Sequence, residues 1–196
     1  MPGICWAACR GGVADEASLI ARIAAGDAVA LRVLFARHYV RIYRFTRRLV
    51  RDGALAEELT NEVFLEIWRH AKSFQGTSSA LTWMLSIAHH RAVSSLRKRR
   101  EEPWDDGAAY ALADAADDPE VAAQKRDAGA ILRRCLDALS PEHQGVVDLV
   151  YYHEMSVSEA AAILRIPENT VKTRLFHARK RLSELLRKAG IDRGWP

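Results

Sequence analysis

Apolar residues recur at intervals of three and four through most of the chain, and no segment alternates apolar with polar residues over a β-branched run. A period near 3.6 gives a helix one buried stripe, whereas a half-buried strand needs a period of two. The pattern therefore confines the chain to an all-α fold. Gly26-Asp27-Ala28, Arg51-Asp52-Gly53-Ala54 and the polar run from Ser73 to Ser79 interrupt the periodicity, which predicts helices over 16–25, 28–50, 54–72 and 80–100.

Residues 101–127 are acidic and alanine-rich and contain Pro103 and Pro119, so they are expected to form a linker with some helix near its end. A second helical group is predicted over 128–190. Ser140-Pro141 places a capping hydroxyl before a proline at the first helical position, with Val146, Val147, Val150 and Tyr151 expected to point inward. Ser156-Val157-Ser158-Glu159 is a capping box and opens a short helix with Ala160, Ala161 and Leu164 on one side. That helix should end before Pro167. The next begins at once, with Val171, Leu175, Ala178, Leu182 and Leu185 as its apolar stripe. Short helix, tight turn and long helix outline a helix-turn-helix.

The other side of the long helix carries Asn169, Lys172, Thr173, Phe176, His177 and Lys180, flanked by Arg174, Arg179 and Arg181. Lysine can donate to guanine acceptors, threonine and phenylalanine can touch a thymine methyl, and flanking arginines can neutralise phosphates. Thr170 adds a hydroxyl to the free N–H groups of the helix start, a natural phosphate site. A basic amphipathic helix can equally be a solvated face. Phe176 argues against that, because a solvated face has no use for an exposed apolar ring.

The net charge of +4 matters less than its distribution. Arg32, Arg37, Arg41, Arg44, Arg47, Arg48 and Arg51 come without an intervening acid, and Glu57, Glu58, Glu62 and Glu66 then follow with no base before Arg69. Arg91, Arg97, Lys98, Arg99 and Arg100 restore a basic block ahead of the acidic linker. Such alternation suits several different partners or an internal screen.

No apolar run approaches the roughly 20 residues needed to cross a bilayer, and the start of the chain lacks a basic segment followed by an apolar one, so the expectation is a soluble cytoplasmic protein. Residues 1–15 read as an N-terminal tail, which an upstream start codon would explain. Cys135 falls among Leu132 and Leu136 as a small buried residue, while Cys5 and Cys9 lack the second ligand pair a zinc site needs. Adjacent His89 and His90 point about 100° apart on a helix and are poorly placed to share a metal. No nucleophile and base, phosphate-cradling glycine loop or metal cluster appears, so neither an enzyme nor a bound cofactor is expected.

The stretch LSPEHQGVVDLVYYHEMSVSEAAAILRIPENTVKTRLFHARKRL resembles region 4, the C-terminal DNA-binding domain of bacterial RNA polymerase sigma factors of the extracytoplasmic-function (ECF) type. Independently, ALRVLFARHYVRIYRFTRRLVRDGALAEELTNEVFLEIWRH followed by ALTWMLSIAHHRAVSSLRKRR resembles their region 2. The two blocks stand in the family's order and cover most of residues 16–188. The resemblance implies two small helical domains, a region 2 bundle over 16–100 and a region 4 helix-turn-helix over 128–190, joined by the acidic linker.

It also implies roles. Glu58, Asn61 and Glu62, on one helix face by their spacing, match the residues that dock on core RNA polymerase, while Leu59, Val63, Phe64 and Ile67 read as core. Ser73, Gln75, Thr77, Ser78 and Ser79, with Trp83 and His90, match the element that reads the minus 10 sequence and captures extruded bases; Arg91, Arg97, Lys98, Arg99 and Arg100 would form the track for the single strand. Asn169, Thr170, Lys172, Thr173, Arg174, Phe176, His177, Arg179 and Lys180 match the face that reads the minus 35 element in duplex promoter DNA. Asn61 stands where relatives usually have Gln, His90 where they commonly have Asn, Asn169 where many have Gly, and His177 where many have Arg. The family further implies an anti-sigma protein as partner and no membrane insertion. The alternative is an operator-binding helix-turn-helix regulator whose N-terminal helices sense a ligand or dimerise; it would more simply show an apolar pocket than alternating charged faces.

Overall fold

The computed structural model describes residues 15–101 and 121–190, without the side chains of 100–101 and 121–128. The expected tail with Cys5 and Cys9, most of the expected linker and the side chain of Arg100 lie outside the described residues. The described residues contain α1 (Glu16–Ala24), α2 (Ala28–Val50), α3 (Gly53–His70), α4 (Ala80–Glu101), α5 (Val121–Asp137), α6 (Pro141–Val147), α7 (Val157–Leu164) and α8 (Glu168–Lys188), and the fold is all-α as the periodicity predicts.

Local chemistry accounts for the helix ends. Asp27 caps α2 by accepting from the N–H groups of Val29 at 2.8 Å and Ala30 at 3.1 Å, and it also receives Arg22. Those bonds, the Arg22 one first, hold the Asp27 carboxyl below its ordinary pKa. Asp52 caps α3 in the same way through Leu55. At the end of α2, Arg51 turns the chain in the left-handed region with φ of 57°, which permits the short step into α3. Residues 71–73 form a 3₁₀ turn rather than the last turn of α3, and Gly76, at φ 68°, follows in the bend before α4.

In the N-terminal bundle α2, α3 and α4 pack on one another and α1 lies against α2. Phe45, Ile42, Leu34, Leu19, Ile20, Ile23, Ile67, Met84 and Leu85 are fully buried there. Each such side chain contributes about 1.5–3 kcal/mol relative to exposure, so the bundle stands on its apolar stripes rather than on its many charges.

In the C-terminal half α8 packs against α5, α6 and α7. Val171, Leu175, Ala178, Leu182 and Leu186 form its buried stripe, with Leu185 half-buried beside them. The end of the stripe thus falls one residue later than expected, because a true 3.6 period carries 182 on to 186. Cys135 is buried against Leu182 and Leu186, as its surroundings predict. Tyr151 departs from expectation: it is 42% exposed rather than inward. Residues Asp148–Tyr152 form a π-helical segment. Its wider turn rotates the side chains after Val147, so Leu149 is buried and the Tyr151 hydroxyl meets Arg179.

The two halves touch. α7 lies on α4 and α6 on α2, and one apolar cluster runs from Phe45, Met84 and Leu85 through to Leu149, Met155, Ala160 and Ile163.

Candidate nucleic-acid and protein interfaces

The capping box of α7 sets the helix-turn-helix. Ser156 accepts from the Glu159 N–H at 3.2 Å while Glu159 takes the Ser156 N–H at 3.0 Å. Bonds from the Ser156 N–H and hydroxyl lower the Glu159 pKa. Arg165, in the left-handed region at φ 55°, ends α7, and Pro167 stands at the N-cap of α8. This turn leaves the polar side of α8 in solvent. Asn169, Lys172, Thr173, Phe176, His177, Arg179 and Lys180 are all exposed, and Phe176 is 64% exposed with its ring edge-on to His177 at 5.4 Å.

The expected α8 residues thus share one side of one helix, though not all are unengaged. Thr173 donates back to the Asn169 carbonyl at 2.9 Å, Arg174 lies 3.7 Å from Glu142, and Arg179 donates to Tyr151. Thr170 is half-buried, and Glu168 places a carboxylate in the same first turn.

On α3, Glu58 and Asn61 are exposed and Glu62 is half-buried, while Leu59, Val63, Phe64 and Ile67 are buried as expected. The acidic face does not end there. Leu65, 53% exposed, and Trp68, 37% exposed, fall three to seven residues further on and continue the same surface. Sequence reasoning missed both, although the i+4 and i+7 steps from Asn61 were there to find.

Before α4, Ser73, Gln75, Thr77, Ser78 and Ser79 are exposed. Ser73 donates to the His70 carbonyl and Ser79 accepts from the Thr82 N–H at 3.1 Å, so both hydroxyls also order the loop. Trp83 is half-buried, its ring 5.2 Å from that of Phe74. His90 is exposed on the outer side of α4. Arg91 is paired with Glu62 and Glu66, and Arg99 with Asp52 at 3.5 Å. Arg97 and Lys98 are exposed on the same helix.

Comparison with known proteins decides what these surfaces belong to. Residues 34–102 match the Sigma-70 region 2 family and residues 129–182 the Sigma-70 region 4 family. The ECF RNA polymerase sigma factor SigK of Mycobacterium ulcerans (strain Agy99) is 31% identical over 176 residues, covering 88% of this chain and 94% of that one. The chain belongs to the ECF RNA polymerase sigma factors. SigK of Mycobacterium tuberculosis (strain ATCC 25618 / H37Rv) is likewise 31% identical over 178 residues and SigK of Mycolicibacterium vanbaalenii 28% over 169.

Solved structures share the fold of this sigma factor. CnrH, in complex with the cytosolic domain of CnrY, superposes with a TM-score of 0.65 at 23% identity over 88% of this chain and 97% of its own. The sigma factor RpoE of Bartonella quintana, in complex with the anti-sigma factor NepR, gives 0.65 and 23% over 83% and 98%. As an ECF sigma factor the chain is no enzyme; it binds RNA polymerase and DNA and directs transcription initiation. The region 2 match covers α3, α4 and most of α2, where the operator-binding alternative placed a sensing or dimerisation domain. Among the described residues, no helix is long and apolar enough to cross a membrane.

The structure also brings together residues no motif had singled out. Arg41, Arg48 and Arg51, part of the arginine run of α2, reach into region 4. Arg48 pairs with Asp148 and lies over the Tyr152 ring at 3.7 Å. Arg41 donates to the His153 carbonyl and, at 3.3 Å, to its Nδ1. That contact leaves the imidazole proton on Nε2, which lies 3.4 Å from Asp148. Burial first, and then Arg41 and Arg48, push the His153 pKa down to about 4.

Proposed function

We propose that the sigma factor divides its work among three surfaces. The α3 face of Glu58, Asn61 and Glu62 docks on a basic surface of core polymerase. The loop from Ser73 to Ser79, with Trp83, His90, Arg91, Arg97, Lys98, Arg99 and Arg100, takes the extruded strand of the minus 10 element. The α8 face of Asn169, Thr170, Lys172, Thr173, Arg174, Phe176, His177, Arg179 and Lys180 reads minus 35 duplex.

The observation that carries this reading is Phe176. It stands 64% exposed among Lys172, Thr173 and His177 on a helix whose opposite stripe is buried. An apolar ring there gains from contact with a thymine methyl or sugar and gains nothing in water. The domains are taken as region 2 over 16–100 and region 4 over 128–190, with an acidic linker over 101–127. The cell compartment is the cytoplasm, and the regulator is an anti-sigma protein of the kind named in the NepR complex.

The test is pull-down with core polymerase followed by run-off transcription from a candidate promoter. Lys172→Ala with Phe176→Ala should abolish promoter-specific transcripts and leave core binding intact, whereas Glu58→Lys with Asn61→Ala should weaken core binding. The reverse pairing of phenotypes would refute the division.

A further inference from the structure

We propose that His143 of α6 joins His177 of α8 on the minus 35 face, and that this imidazole pair grips promoter DNA only once it has taken up a proton, so that recognition tightens as pH falls. The proposal rests on the α8 reading under Proposed function and adds to it a residue and a chemical condition.

The rings of His143 and His177 lie 6.4 Å apart between centroids and are tilted by 34°. α6 packs against α8, which fixes the two backbones that carry them. His143 is half-buried, its backbone N–H donating to the Ser140 hydroxyl at 3.4 Å, and His177 is exposed. Phe176 stands edge-on to the His177 ring, so the pair borders the exposed apolar ring of the same face.

The charges around the pair are mostly positive, and the acids there are already engaged. Next to His143, Glu142 lies 3.7 Å from Arg174, which stands one turn before His177. One turn after it come Lys180 and Arg181, the latter 3.4 Å from Glu184. α7 brings Glu159, which Ser156 and Thr82 hold. α5 meets α8 at Leu182 and Leu186 and carries Arg133, Arg134 and Asp137, the last accepting from Gln144 at 3.4 Å. A protonated pair calls for an anion, and a DNA phosphate supplies one.

An arginine at position 177 would be charged at every pH, whereas an imidazole changes its charge between about pH 5 and 8. The protonated ring donates from both nitrogens; the neutral ring donates from one and accepts at the other. Phosphate oxygens and the guanine edge offer acceptors, so the neutral ring presents them a lone pair where a donor is needed. A phosphate within about 4–6 Å favours the charged ring. By reciprocity, DNA that prefers the protonated pair takes up protons on binding, and its affinity rises as pH falls.

The test uses holoenzyme assembled from core polymerase and the full chain, with a duplex that it selects from a pool randomised over the minus 35 positions. Affinity is read in competition with the same duplex carrying a scrambled element. From about pH 8 to about pH 6 the dissociation constant should fall at least about tenfold, the worth of a charge-assisted hydrogen bond. The slope of log affinity against log salt should steepen by about 0.9 for each proton that answers a phosphate. His177→Arg should bind at the higher pH as the unmodified chain does at the lower, and should lose the pH dependence. His143→Gln should remove part of that dependence, and His143→Gln with His177→Gln should leave binding weak and flat with pH. A flat profile in the unmodified chain, or a steep one that survives the double glutamine variant, would overturn the proposal; the α8 reading stands if Lys172→Ala with Phe176→Ala still loses the duplex. A profile unmoved by His143→Gln overturns the pairing. If Lys172→Ala with Phe176→Ala binds the duplex as the unmodified chain does, the α8 reading falls and takes the imidazole pair with it.

Discussion

Arg91 of α4 reaches across to Glu62 of α3, with Nη1 3.7 Å from the carboxylate, and its Nε donates to Glu66. A residue proposed to meet the DNA strand is thus held by Glu66 and, more loosely, by a residue proposed to meet the polymerase. Whatever draws Glu62 away raises the positive potential along α4.

Arg91→Ala should therefore separate two activities. Open-complex formation should fall several-fold, while affinity for core polymerase stays level or rises because Glu62 is released. Stability should drop by about 1 kcal/mol, since Arg91 is over a third exposed and solvent screens its pairs with Glu62 and with the less exposed Glu66. Fluorescence anisotropy with core polymerase and permanganate footprinting of the promoter would read the two effects.

Leu65 should matter to binding and hardly at all to folding. At 53% exposure, its replacement by alanine should change stability by less than about 0.5 kcal/mol. If its surface is buried against the polymerase beside Glu58 and Asn61, the same change should cost about 1 kcal/mol of binding, a fivefold weakening. Val40→Ala, also exposed but on α2, is the control and should leave the measured Kd unchanged.

Ser156→Ala removes one half of the α7 capping box and loosens Glu159 at the same time. The expected cost is about 1 kcal/mol in a urea titration, and Ser156→Thr should recover most of it. A cost indistinguishable from zero would mean that tertiary packing alone holds the start of α7.

The pH dependence of stability should carry the mark of His153. Unfolded, it titrates near its ordinary 6.5; folded, at about 4. Between those values the unfolded chain binds more protons, so stability falls as pH drops from 6.5 to 4, by on the order of 3 kcal/mol if His153 acts alone. The capping carboxylates Asp27, Asp52 and Glu159 have lowered pKa values, so their contribution is lost only as pH falls further, below the ordinary carboxylate range. His153→Gln should flatten the profile between pH 6.5 and 5 in denaturant titrations, and an unchanged slope there would assign the effect elsewhere.

The sequence by itself determined the helices, their caps and the direction in which each amphipathic face points. Ser140, Ser156 and Pro167 mark helix starts through bonds made within a few residues, and the α8 stripe follows from a spacing of three and four. These interactions are local, so they can be read in one dimension. The outward face of α8 and the acidic face of α3 followed from the same arithmetic, while Leu65 and Trp68 went unnoticed because an apolar residue on a polar face looks like core until a neighbouring helix fails to cover it.

Only the tertiary structure decided which charges meet. Arg41 and His153 are 112 positions apart, and Thr82 and Glu159 are 77 apart. Nothing in a periodic pattern says which arginine of a run of seven will be buried against which aspartate. That depends on how α6 and α7 seat on α2 and α4, and on the π-helical turn that swings Tyr151 out and brings Asp148 and His153 in. Helix periodicity fixes a direction around one axis, whereas ion pairing across two helices depends on their crossing and register, which side-chain packing alone sets.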